Sequence, residues 1–182
     1  MEPMSALTMQ LFFSMLAVIA LAGAVLLLAA RLLGTRVPAL RAFEAMIAPS
    51  AVWLAWLVAA TCMAGSLYFS EVVHLRPCRL CWYQRFAMYP LVLVLLVVAV
   101  SKNRWARRYA RLAAGIGVGI SSWHYLIERY PSLEPSNVCE LSNPCTVIWF
   151  ERMGFVTIPF MALCGFLAIS FLLAARSQET SS

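Results

Sequence analysis

Four of the six cysteines stand in two pairs whose spacing suits thiol–disulfide chemistry. Cys78 and Cys81 enclose Arg79 and Leu80; Cys139 and Cys145 enclose Glu-Leu-Ser-Asn-Pro. On a helix Cys78 and Cys81 share a face, and Arg85 lies one turn beyond Cys81 on that face. Proline is favoured in the first helical turn, so a helix start is expected within Pro77–Cys81. A thiol at a helix N-terminus sees the positive end of the macrodipole, and a nearby guanidinium adds to it. Both favour the thiolate, the nucleophile of disulfide exchange. In the second pair, Asn143-Pro144 favours a turn. Such a turn can bring the two Cα atoms into the approximately 4.4–6.8 Å range of a disulfide. A short, exposed loop disulfide is of the labile kind.

Plainer readings stand beside these. A Cys-x-x-Cys is also a common zinc half-site, with Cys139 and Cys145 as a loosely spaced second half. The loop pair alone could be a structural staple. Cys62 and Cys164 lie inside apolar stretches, where a thiol behaves as a small hydrophobe. His124 also lies in an apolar stretch, flanked by Trp123 and Tyr125 with Glu128 one turn on. An ionisable group at membrane depth is a functional candidate; the plainer reading is a histidine facing headgroups. His74, in the short loop before the motif, reads as a loop residue.

The elements that must hold these residues are membrane helices. The 182 residues are 63% hydrophobic and only 12% charged, with a mean hydropathy of +0.81. A soluble domain carries about 25% charged residues. The composition fits one compact polytopic bundle without a sizeable soluble domain. The net charge of +6 is no nucleic-acid signal, because the basic residues gather in short loops beside apolar runs, where they set topology.

Five apolar stretches run approximately over Leu7–Ala30, Ala51–Phe69, Phe86–Val100, Leu112–Ile127 and Phe155–Ala175. A crossing helix needs about 20 residues, so the third is expected to start back at Pro77–Cys81. The fourth is expected to extend from Tyr109 to Tyr130. Gly115, Gly117 and Gly119 in it suggest close helix contact. The expected fold is an all-α membrane protein: a four-helix transmembrane bundle plus one additional N-terminal transmembrane helix. The expected division is 1–45 for the extra helix and its linker, 46–176 for the redox domain, and 177–182 for a short tail. Met1–Gln10 has no Lys or Arg, so the first stretch reads as a retained helix and not a signal peptide.

With alternating sides, nine Lys and Arg residues fall on one side (Arg31, Arg36, Arg41, Lys102, Arg104, Arg107, Arg108, Arg111 and Arg176) and five on the other. Glu44 and Glu179 share the basic side, while six glutamates lie opposite. The positive-inside rule then puts the N-terminus outside and the C-terminus in the cytosol, with both cysteine pairs outside. Disulfides persist there. Trp82, Tyr83, Tyr89, Tyr130, Trp149 and Phe150 read as an outer aromatic belt. The apolar segment Thr146–Met153 is expected to lie flat and roof a site formed by the Cys78–Arg85 helix.

Taken together, these residues resemble the bacterial DsbB/BdbC family of disulfide-bond formation proteins. The likeness rests on His74-Leu-Arg-Pro-Cys78-Arg-Leu-Cys81-Trp-Tyr-Gln-Arg85, on Trp123-His124-Tyr125, and on Cys145…Trp149…Gly154-Phe155…Pro159. It covers about Ala51–Ala175. That family has four transmembrane helices, so the first helix is an addition. The resemblance implies a bacterial inner-membrane thiol oxidase whose partner is an extracytoplasmic thioredoxin-fold oxidase (DsbA/BdbD-like). The partner's reduced cysteine would attack the loop disulfide at Cys139, and Cys145 would then exchange with Cys78. Cys81 would be released as a thiolate and react with a membrane quinone, ubiquinone or menaquinone, held near Arg85 with His124 as a neighbour. A DsbA-like partner sits near about −120 mV, so a still stronger, lipid-soluble acceptor is needed to reoxidise it.

Three other readings compete. A vitamin-K-epoxide-reductase-like enzyme also has a helix-borne Cys-x-x-Cys and a loop pair, but here the Cys-x-x-Cys comes first and Arg85 follows it directly. A zinc-stapled structural protein predicts bound metal. A carrier sending reductant outward would place thiols within the bilayer, so the depths of Cys62 and Cys164 bear on it.

Overall fold

The computed structural model describes residues 3–134, 139 and 144–175. The Asn143 turn, Arg176, the 177–182 tail, Glu2, Glu140 and Glu179 lie outside the described residues. Among the described residues six α-helices follow one another: α1 (Pro3–Leu33), α2 (Pro38–Ile47), α3 (Ala51–Leu67), α4 (Arg79–Ser101), α5 (Arg104–Arg129) and α6 (Ile158–Ala174). Among the described residues there is no strand beyond one isolated bridge between Arg152 and Val156. The protein is an all-α, multi-pass membrane bundle. Ala6–Leu33, Pro38–Val72 and Arg79–Ser101 are long and apolar enough to cross a bilayer.

The local sequence explains the boundaries. Pro38 sits in the first turn of α2, where its missing N–H costs nothing. A 3-10 turn, Ala48–Ser50, carries α2 into α3, so the expected boundary at residue 45 falls inside α2. A π-turn, Tyr68–Val72, ends α3. The start of α5 corrects the expectation of Tyr109. Asn103 Oδ1 accepts the N–H groups of Trp105 (2.8 Å) and Ala106 (3.2 Å), and this cap starts the helix at Arg104. Much of the basic cluster is therefore helix and not loop. The α6 helix starts at Ile158, later than the apolar run suggests, because Arg152–Val156 closes a turn through Met153 and Gly154, both at positive φ.

Helices α3, α4, α5 and α6 close a four-membered bundle, with α3 and α5 each packed on both α4 and α6. Helix α1 lies outside this ring against α6. Small residues bring the helices close: Ala55, Ala59, Ala110 and Ala114 are fully buried. A Cβ on Gly117 would lie 2.2 Å from the Phe166 ring, so only glycine admits that ring. Gly115 and Gly119 face open space, which narrows the expected glycine contact to Gly117. Residues two apart on a helix do not share a face. At the end away from the cysteines, Arg31 donates to Ala174 O (2.8 Å), and Arg107 (3.1 Å) and Arg111 (3.3 Å) donate to Leu173 O. These guanidinium groups satisfy the last carbonyls of α6.

Candidate functional site

The site starts at the cap of α4. Cys78 is extended (φ −73°, ψ 174°) and its Sγ accepts the Cys81 N–H at 3.3 Å. Pro77 therefore stands just before the cap, and the helix starts at Arg79. The Cys78 and Cys81 sulfurs are 2.8 Å apart as free thiols, longer than the about 2.05 Å of a disulfide. Cys78 is buried. Its thiol is held down to about 5, chiefly by the hydrogen bond from Cys81 and further by His124, against the opposing effect of burial. At the N-terminus of α4 the helix dipole acts in the same direction.

His124 comes to this thiol from α5. Its Nε2 lies 3.6 Å from Cys78 Sγ and 3.3 Å from Cys145 O. With the proton on Nε2, the ring donates to the carbonyl and toward the sulfur. Four residues on, Glu128 is buried and accepts the Thr157 hydroxyl at 2.6 Å.

Cys139 and Cys145 form a disulfide with a Cα–Cα distance of 5.8 Å. Cys145 is buried and donates its N–H to Glu134 Oε1 (3.1 Å), while Cys139 is half-buried. Cys145 packs in one apolar cluster with Cys78, Leu80 and Ile127, and Cys81 and Cys139 border it. Both pairs thus meet at one end of the bundle. Cys78, Cys81 and His124 offer three donors within 4.8 Å, a set that could hold a metal. The loop cysteines, bonded to each other, cannot complete a four-cysteine zinc site with them.

Arg85 projects toward α3. Its Nε donates to Ser66 Oγ (3.0 Å), its Nη2 to Ser66 O (3.1 Å), and the Tyr89 hydroxyl donates to Ser66 Oγ (3.2 Å). The guanidinium lies 5.2 Å from the Trp82 ring centroid. Arg85, Gln84 and Cys81 line an apolar cavity of about 330 Å³ between the helices, with Ser66 and Trp149 also in its wall. Cys81 is therefore both a cavity residue and the close neighbour of Cys78. His124 is not among the cavity's lining residues; it faces Cys78.

The family described as disulfide bond formation protein DsbB matches residues 48–143. The chain belongs to the DsbB family. This match includes Cys78, Cys81, Arg85, His124 and Cys139 and stops short of Cys145 and α6. Disulfide bond formation protein C of Bacillus subtilis (strain 168) is 39% identical over 130 residues, covering 71% of this chain and 94% of that relative. A probable disulfide formation protein of Oceanobacillus iheyensis is 43% identical over 120 residues, covering 65% and 83%. One of Coxiella burnetii (strain Dugway 5J108-111) is 38% identical over 123 residues, covering 67% and 84%. No solved structure matches. Within the DsbB family this chain carries α1 and α2 ahead of the matched region.

Sequence reasoning missed Ser66, Thr157 and the α1 residue Phe13. Ser66 was detectable only as a hydroxyl in an apolar stretch. Its partner Arg85 is 19 residues away and meets it only through packing of α3 on α4. Cys62 and Cys164 remain free and share a depth, since Cys62 Sγ would lie 2.6 Å from a Cβ on Gly165, the residue after Cys164.

Proposed function

We propose that this protein is a membrane dithiol oxidase that reoxidises an extracytoplasmic thioredoxin-fold partner and passes the electrons to a membrane quinone. It would thereby support disulfide formation in secreted proteins. The observation that carries this reading is the double position of Cys81, 2.8 Å from Cys78 and in the wall of the cavity that Arg85 lines.

The partner's thiolate attacks Cys139, the more accessible sulfur of the loop disulfide. The Cys139–Cys145 bond breaks, a mixed disulfide forms, and Cys145 leaves as a thiolate. The partner's second thiolate then attacks its own sulfur in that bond, leaving the partner oxidised and the loop pair reduced. When Cys78 and Cys81 are joined, Cys145 attacks Cys78 and releases Cys81 as a thiolate into the cavity wall. Cys139 displaces Cys78 from the Cys145–Cys78 bond and restores the loop disulfide. The leaving Cys78 is suited to this step because its thiolate is favoured, and a low-pKa thiol leaves faster. His124 donates toward that sulfur.

The cavity suits a quinone. Its wall is almost wholly apolar, and its polar members include Cys81, Gln84, Arg85, Ser66 and Arg76. Two Arg85 nitrogens are engaged by Ser66, while Nη1 makes no hydrogen bond among the described residues and is a free donor for a carbonyl. A quinone bound there supplies a two-electron acceptor that departs as quinol. Positive charge at the far end of the bundle supports an orientation with both cysteine pairs outside a bacterial cytoplasmic membrane, the N-terminus outside and the C-terminus cytosolic.

The test is quinone absorbance in nanodiscs after addition of a reduced thioredoxin-fold dithiol protein, with Cys81→Ser in parallel. Loss of the quinone band in wild type alone is expected. A persistent band, with all four cysteines inert to thiol labelling, rejects the reading.

A further inference from the structure

Helix α1 precedes the family match, and from sequence it reads as an addition. Its position says more. Phe13, Leu16, Ala17, Ile19 and Ala20 line the same cavity as Cys81 and Arg85. The Phe13 ring lies over Gly65, where a Cβ would stand 2.9 Å from Phe13 Cε1. The next residue, Ser66, holds Arg85. Phe13 therefore packs on the backbone next to the residue that anchors the guanidinium.

The same helix also ties down the segment after Cys145, whose Trp149 lines the cavity. Phe13 meets Phe69 edge-on with ring centroids 5.6 Å apart, and Phe69 meets Phe150 at 5.3 Å. This run of rings joins α1, the π-turn after α3 and the segment that follows Cys145. One turn before Phe13, Gln10 accepts a hydrogen bond from Arg152 of that segment. Farther along, Ala17 and Ala20 share the face of Phe13, about 6 Å and about 10 Å along the helix axis from it. Methyl side chains there leave the cavity open. A bulky side chain would fill it.

We propose that α1 is a working wall of the acceptor site, and that Phe13 and Ala20 set which isoprenoid quinones fit. The inference rests on the quinone reading above. Phe13 bounds the space beside Arg85 that a quinone ring would take. Ala17 and Ala20 bound the apolar remainder that its isoprenoid chain would take. Without α1, the α3–α6 side of the cavity would open to lipid, and the segment after Cys145 would lose its contact with Gln10 and the ring stack that Phe13 begins.

The experiment is photolabelling of the full chain in nanodiscs with an azidoquinone bearing an isoprenoid tail, followed by peptide mapping and competition with unlabelled quinone. It reads contact and needs no turnover. Competable label on the α1 peptide containing residues 13–20, together with label on the Cys81–Arg85 peptide, is expected. Ala20→Phe should weaken binding of the long-tailed quinone by roughly tenfold or more, in the range by which an apolar pocket discriminates single groups. Phe13→Ala should alter the preference among ring types and leave a folded, labelled protein. Label on α4 alone, with wild-type affinity in both variants, would overturn the role of α1 and leave the quinone reading standing. No competable label anywhere in the cavity would overturn both.

Discussion

The imidazole of His124 and the thiol of Cys78 face each other in a buried seam between α5 and the start of α4, with Nε2 3.6 Å from Sγ. A partner that close to a nucleophilic sulfur acts on its proton. Cys78 is lowered to about 5, first by Cys81 and then by His124. Below that midpoint the thiol is protonated and unreactive; above it the thiolate fraction saturates. The alkylation rate of Cys78 in the reduced protein should thus be level at neutral pH and fall as pH drops through about 5. His124→Ala should raise the midpoint by roughly one unit, and Cys81→Ala by more. Midpoints identical to wild type in both variants would refute this account.

Cys81→Ser separates the two halves of the proposed relay. It should abolish quinone reduction, because the cavity-lining sulfur is gone, yet still permit a stable mixed disulfide between Cys139 and a partner that lacks its second cysteine. Non-reducing gels and quinone absorbance read the two halves independently. Quinone turnover in Cys81→Ser would remove Cys81 from the role. Cys139→Ala should stop partner oxidation altogether, and normal partner oxidation by that variant would refute the loop's part.

The cysteine pairs, Arg85 and the multi-helix bundle were legible in the sequence because each leaves a local trace. Long apolar runs mark helices, and a Cys-x-x-Cys after a proline marks a helix start. His124 was legible as an ionisable group in an apolar stretch, but not its neighbour. On a helix with 3.6 residues per turn, a small change in rotation decides between the cavity and the Cys78 sulfur. The start of α5 was hidden because the basic cluster reads as loop, while the Asn103 side chain caps a helix there. Ser66 and Phe13 were hidden for another reason. Their roles arise where α1, α3 and α4 meet, and no spacing within one segment encodes that meeting.

Arg85 and Ser66 make a forked contact that lysine cannot reproduce. Arg85→Ala and Arg85→Lys should both raise KM for quinone, with the alanine variant the more affected. Exchange between partner and loop disulfide should change less. Ser66→Ala removes one acceptor of the fork but keeps the carbonyl, so its effect should be milder than that of Arg85→Ala. Steady-state kinetics at varied quinone concentration decide the matter. An unchanged quinone dependence in Arg85→Ala would remove Arg85 from the acceptor site.

Gly117 and Gly115 offer a stability test of the bundle itself. A methyl at 117 would enter the Phe166 ring, whereas one at 115 meets nothing within 4 Å. Overpacking of a filled core costs about 1–3 kcal/mol. Replacing a helical glycine by alanine in open space recovers about 0.8–1.0 kcal/mol of propensity in water-soluble hosts. Gly117→Ala should therefore lower the unfolding midpoint in detergent, and Gly115→Ala should leave it unchanged or raise it. Phe166→Leu in the Gly117→Ala background should restore part of the loss by making room for the methyl. Equal midpoints for the two glycine variants would mean that α5 and α6 do not meet at Phe166.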